Sequence, residues 1–328
     1  MSAPDVLLVS LGSTAGLRAA DEVFAAQLRS SGAAVEIARA APCPQVRTMA
    51  LTDYRWARSA AAAARAAIAS KMPRTIVYSS TTAAMFWPKP GAIRFDAAAA
   101  ENRPGRDGIW QRPLERRRFA ESRLLIPWSE AALTQAPQSA AATVVVPPPV
   151  DPSGPPVADE DRDIAAITYA ADPQKKGLGA VLEAWAQARR GDERLVVAGL
   201  DPARLPSPGP GVEVVGLLPS EQYRALLRRS KLFVCAPRRE DFGLAQLEAL
   251  ADGCQLATTA APGAYEALRL ARELDPNLVG DDLAASIRKA LDAPGGRYRE
   301  RAARLMEPFA SGSVQQTISA ELMAQLLP

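Results

Sequence analysis

Short apolar runs recur along the chain, each followed by a stretch with helical spacing. In the first half the runs fall at residues 6–11, 33–38, 75–78, 93–95, 122–127 and 143–146. In the second half they fall at 164–169, 196–199, 212–219 and 231–237. Runs of this length, stopped by glycine or proline, predict strands. Between them lie a helical stretch at about 18–30 and an alanine-rich one at 54–72, where alanine and arginine both favour helix. Strands alternating with helices predict an α/β fold with parallel, doubly wound sheets. Residues 147–156 carry prolines at 147, 148, 149, 152, 155 and 156, a stiff boundary between domains. The chain therefore divides into an N-terminal domain over 1–150, a C-terminal domain over 151–305, and a last helical segment over 306–328.

The most telling stretch begins at the run 231–237. It reads as a buried strand stopped by Pro237, then a loop with Glu240, Asp241, Phe242 and Gly243, then a helix closed by Gly253. Leu244, Leu247 and Ala251 recur at the helical period and are expected to face the core, with Glu248 at the edge of that stripe. A carboxylate there needs partners, and either sugar hydroxyls or an arginine would serve. The free N–H groups and positive dipole end of the helix make its start a natural phosphate site. A second such place follows the strand 164–169, where Lys175 and Lys176 precede Gly177 at a helix start. An exposed basic turn is the plainer reading of that pair.

Charge and composition narrow the class. The net charge of +3 over 328 residues argues against a dedicated nucleic-acid binder. No apolar run is long enough to span a bilayer, and the first residues lack the basic region of a signal peptide. Cys43, Cys235 and Cys254 are few and odd in number, which suggests buried thiols in a reducing cytosol. The chain contains no histidine. That excludes a Ser-His-Asp or Cys-His nucleophile system and leaves acid–base work to carboxylates, lysine or tyrosine. The loop Gly12-Ser13-Thr14-Ala15-Gly16 does not match the dinucleotide fingerprint, so a dehydrogenase is not favoured. The triplet Asp159-Glu160-Asp161 lies beside Arg162 in a polar stretch and reads as a solvated turn rather than a metal site.

Two glutamates separated by seven residues, with Phe242-Gly243-Leu244 after the first and Gly253-Cys254 after the helix, resemble the signature of family-4 retaining glycosyltransferases. The segments 196–199, 212–219 and 258–266 are similar to the family's strands and loop on either side of it, so the resemblance covers about 164–305. It implies a GT-B fold, two Rossmann-like domains facing across a cleft, with the last helix returning to the first domain. It implies a cytoplasmic, metal-independent hexosyl- or related glycosyltransferase that needs no cofactor beyond its nucleotide-sugar donor. Glu240 would hold the donor sugar as the catalytic carboxylate and Glu248 the ribose. Gly243 and Leu244, with Phe242 between them and Glu240, would meet the phosphates together with Lys175 and Lys176. The base would lie against Gly216 and Leu217. The family arginine falls on Ala170, a departure that Lys175 or an arginine from elsewhere would have to make good.

The acceptor is not named by the sequence: a glycan, a lipid carrier or a small molecule all fit. Many relatives place a histidine near the donor sugar. Here Arg94 or Asp96 would take its place, or else they form a surface-exposed pair; Gly12 joins them because its loop commonly faces the cleft in the family, though a plain strand-to-helix turn is the simpler reading of that loop. Six arginines between 103 and 118, with Trp110, would suit an anionic carrier lipid or the inner face of a membrane. With Asp107 and Glu115 interleaved, they also read as an ordinary solvated face. Two other functions stay open: a non-catalytic GT-B relative serving as a nucleotide-binding or scaffold subunit, and an epimerase of the same fold.

Overall fold

The computed structural model describes residues 3–293 and 295–328. The chain forms two units, one of Met1–Pro149 with Ser311–Pro328 and one of Val150–Ala310. Each is a parallel sheet wound with helices, an α/β architecture.

The first unit contains β1 (Val6–Ser10), β2 (Val35–Arg39), β3 (Thr75–Tyr78), β4 (Ala92–Phe95), β5 (Leu124–Pro127) and β6 (Ala142–Thr143). Their order is β2-β1-β3-β4-β5-β6, and every pairing is parallel. All five positions of β1 are buried, because a strand covered by helices on both faces has no solvent side. The helix Ala15–Ser30 starts at Thr14, whose hydroxyl accepts the N–H of Leu17, and Thr48 caps Met49–Lys71 the same way through Leu51. The long helix lays Ala57, Ala60, Ala61 and Ala64 inward, the spacing that lets it approach closely. The core joins Val6, Leu8, Phe24, Leu28, Val77 and Ile126 to Val314, Ile318, Leu322 and Leu326 of the last helical segment. That segment contains a π turn at Ile318–Leu322.

The expected strand at 143–146 shortens to Ala142–Thr143. Val144 and Val146 still donate to the carbonyls of Leu125 and Pro127, but Pro147 to Pro149 have no N–H and pairing stops.

The second unit contains β7 (Ile164–Tyr169), β8 (Leu195–Ala198), β9 (Val212–Gly216), β10 (Ser230–Cys235) and β11 (Gln255–Thr258). The order is β11-β10-β7-β8-β9, again wholly parallel. Its core gathers Leu178, Val181, Trp185, Val197, Leu232, Val234 and Ile287, each at most 4% exposed. Burial of such a side chain contributes about 2 kcal/mol. The winding direction reverses between β7 and β10, and the carboxyl ends of strands at such a reversal flank a crevice where ligands bind. Among the described residues, no helix is long and apolar enough to cross a membrane.

Candidate active site

The loops that leave β7 and β10 meet at this crevice. Gly177 has φ +66°, and a Cβ there would lie 1.7 Å from the carbonyl oxygen of Ala236, so only glycine lets the two loops touch. Arg238 N–H donates to the carbonyl of Lys175 at 3.0 Å, and the Asp172 carboxylate accepts from Lys175 N–H at 3.0 Å. The loop after β11 clamps the other side. Gly263 sits against the carbonyl of Glu240, where a Cβ would fall 2.0 Å from the oxygen, and Glu240 N–H donates to Pro262 at 3.1 Å. This closure brings Lys176 Nζ to 2.5 Å from Glu240 Oε2.

Glu240 is 6% exposed. Gln246 Nε2 lies 3.4 Å from the same oxygen and also donates to the Tyr265 hydroxyl at 3.2 Å, which in turn meets Thr258 at 2.9 Å. The network explains a difference in the Leu244–Ala251 helix. Its buried face is Gln246, Leu247, Ala249 and Leu250, while Leu244 and Ala251 are half-buried. The amide of Gln246 turns inward because Tyr265 and Glu240 await it. Neither Gln246 nor Tyr265 was singled out by the sequence, since nothing local marks a glutamine whose partners lie on other loops.

Glu248 stands on the same helix, with Arg224 at 4.0 Å. Arg224 is bonded to Asp252 at 2.5 Å and to the carbonyl of Asp151 at 2.7 Å, so Glu248 receives only its outer field. Burial pushes the Glu248 carboxyl up to about 6, against the pull of Arg224 and with help from Asp252. The hydroxyl of Tyr223 is buried with no hydrogen-bond partner, and burial together with the Glu248 charge raises its pKa.

Gly243 starts the helix with φ +91°, and a Cβ would meet Ala267 at 2.8 Å. Gly216 has φ +83° and accepts from Gly199 N–H at 2.8 Å, and the next residue, Leu217, is 75% exposed. Phe242 lies between Glu240 and Gly243. It is 3% exposed with its ring 6.2 Å from that of Phe309, so its side chain packs within the unit.

The acceptor-side candidates lie in the first unit. Arg94 is 1% exposed, so it is not part of a surface-exposed pair. It sits between the rings of Phe24 and Trp128, at 4.6 and 4.7 Å, and 3.6 Å from Asp21. Asp21 also accepts from Ser10 at 2.5 Å. Burial lowers the Arg94 pKa to about 10, opposed by Asp21 and Asp96, and raises that of Asp21. Asp96 is half-buried. Gly12 has φ +57°, and its carbonyl accepts from Arg18 at 2.7 Å.

The arginine-rich segment is largely spent on its own unit. Arg103 holds Asp53, Arg112 the carbonyls of Arg103 and Gly105, and Arg117 and Arg118 both hold Glu121. Trp110 stacks on Phe86 at 5.6 Å. Glu115 is wholly buried, not part of a solvated face, because it accepts the N–H groups of Ala99 and Ala100. Asp159 of the acidic triplet accepts from Arg299 and the N–H of Gly295. Among the described residues, no three His, Cys, Asp or Glu side chains gather as a metal site. Cys235 and Cys254 are buried and Cys43 half-buried; burial lifts the Cys254 thiol to about 12.

Residues 156–306 match the family model of glycosyl transferases group 1. No curated protein sequence matches the chain. Among solved structures, WaaG, described as a glycosyltransferase involved in lipopolysaccharide biosynthesis, superposes with a TM-score of 0.71 at 15% identity over 96% of this chain and 99% of its own. The sucrose-phosphate synthase of Thermosynechococcus elongatus superposes at 0.68 with 16% identity over 98% of each chain. A trehalose-phosphate synthase from Burkholderia xenovorans gives 0.61 at 14%, covering 85% of this chain and 78% of that one. At such identities the likeness establishes the fold. Residues 156–306 are thus similar to the glycosyl transferases group 1, and the chain has the GT-B fold.

Proposed function

We propose that the protein transfers a hexosyl or related sugar from a nucleotide-sugar to an acceptor, with retention and without a metal. The observation that carries this reading is the Lys176–Glu240 contact at 2.5 Å, held at the reversal between β7 and β10 beside a helix start. Loss of a nucleoside diphosphate develops negative charge on its oxygens. Lys175, Lys176 and the N–H groups of Gly243 and Leu244 would meet that charge. The sugar carbon becomes cationic as the bond breaks, and Glu240 supplies the carboxylate that orients its hydroxyls. Glu248 accepts the ribose hydroxyls, and Leu217 offers apolar surface to the base.

The test is incubation with uridine-, guanosine- and adenosine-diphosphate sugars in EDTA, reading diphosphate release and the anomeric configuration of the product. One base class should support release, EDTA should not reduce it, and the configuration should be kept. An inverted product contradicts retention, and loss of activity in EDTA contradicts metal independence. Tight binding with no turnover by any acceptor would favour the non-catalytic relative, which the substitution at Ala170 and the lack of histidine would suit.

A further inference from the structure

Ala170 is 0% exposed and belongs to the apolar core with Leu178, Trp185 and Ala236; its N–H is bonded to Ala198 at 2.8 Å. A charged side chain at this position would enter the core, so the second cation for a diphosphate cannot come from there. The neighbouring cations are partly engaged. Lys176 holds Glu240 at 2.5 Å, and Arg239 and Lys175 lie 2.8 and 3.9 Å from Asp241. Arg238 is different. It is exposed, it has no acidic partner among the described residues, and its backbone N–H is bonded to Lys175. That bond fixes the start of its side chain where the two loops meet.

We infer that Arg238 is a further cation for the diphosphate of the donor, supplied by the β10 loop beside the lysines of the β7 loop. This rests on the reading that a nucleoside diphosphate is held at this crevice. Lys176 is shared with Glu240 and Lys175 lies 3.9 Å from Asp241, so neither ammonium is wholly available to such a group, and a guanidinium grips it through two parallel N–H bonds. Because Arg238 carries no internal ion pair, the fold does not depend on it.

The test is calorimetric titration of uridine, guanosine and adenosine diphosphates, each beside its own nucleoside, into the wild-type chain and the Arg238→Ala, Arg238→Lys and Lys176→Ala variants. Arg238→Ala should weaken the bound diphosphate by roughly tenfold or more and leave the nucleoside unchanged. Arg238→Lys should recover part of the loss, and the melting temperature of both Arg238 variants should match wild type. Unchanged diphosphate affinity in Arg238→Ala with a loss in Lys176→Ala overturns the role of Arg238 and leaves the donor site standing. No diphosphate binding by the wild-type chain overturns the donor site and Arg238 with it.

Discussion

Both sheets place an arginine or lysine beside a carboxylate near their carboxyl edge, yet the two pairs differ in reach. In the first unit the side chains of Arg94 and Asp21 are 1% and 3% exposed, closed in by Phe24 and Trp128. In the second, those of Lys176 and Glu240 are 21% and 8% exposed, between loops shaped by Gly177 and Gly263. A sealed pair has partners only inside the fold, and its worth is measured in folding. A pair at a crevice can exchange one partner for a ligand, and its worth is measured in binding. Opposite charges near a sheet edge are therefore not enough to mark a site; the backbone around them decides.

Breaking the sealed pair should have the largest effect. Arg94→Ala leaves Asp21 buried without its cation and should cost about 3–5 kcal/mol in urea unfolding. Arg94→Met with Asp21→Leu should recover much of that loss, since apolar groups need no partner. If the single variant unfolds like wild type, the sealed pair is not a folding element and the contrast fails. The open pair should behave the other way. Glu240→Gln should lower sugar transfer about a hundredfold or more while the unfolding midpoint moves little. A large stability loss with full residual turnover would place Glu240 with Arg94.

Gly177→Ala tests the backbone that makes the crevice. Its Cβ would fall 1.7 Å from Ala236 oxygen at φ +66°, so the loops must part. The expected cost is about 2–3 kcal/mol, with donor affinity lost in proportion.

The smallest expected effect is that of pH on Glu248. Its folded pKa of about 6 lies above the ordinary 4.5. This group therefore favours the fold most below 4.5, and the contribution is lost as pH rises through about 6. Glu248→Gln should raise stability at neutral pH by up to about 2 kcal/mol and flatten that dependence. Nucleotide affinity should run oppositely. The ionised carboxylate accepts ribose hydroxyls, so binding should strengthen as pH rises through about 6 in wild type and not in Glu248→Gln. A parallel pH trend in the variant would remove Glu248 from the ribose.

The contrast also explains what a reader of the sequence sees. The strand, loop and helix around Glu240 stand out because a buried parallel strand is a continuous apolar run and its loop is marked by Phe242 and Gly243. Lys176 before Gly177 is visible for the same local reason. That Lys176 and Glu240 touch is not visible, because the contact spans two loops 64 residues apart. Arg94 and Glu115 look like surface charges, since the groups that accept them inside, Asp21 and the N–H groups of Ala99 and Ala100, are distant or unmarked. Phe242 belongs to the signature and yet faces Phe309, a partner outside the motif. Local spacing shows where a turn opens; burial of a charge depends on partners that spacing does not name.

The most direct measurement is titration of nucleotide-sugars into the wild-type chain and into Lys176→Ala, in EDTA. Sugars on one base should bind wild type at micromolar concentration, and Lys176→Ala should abolish this while the variant remains folded. Absence of binding to wild type, or equal binding to the variant, would contradict a donor site at the Lys176–Glu240 crevice.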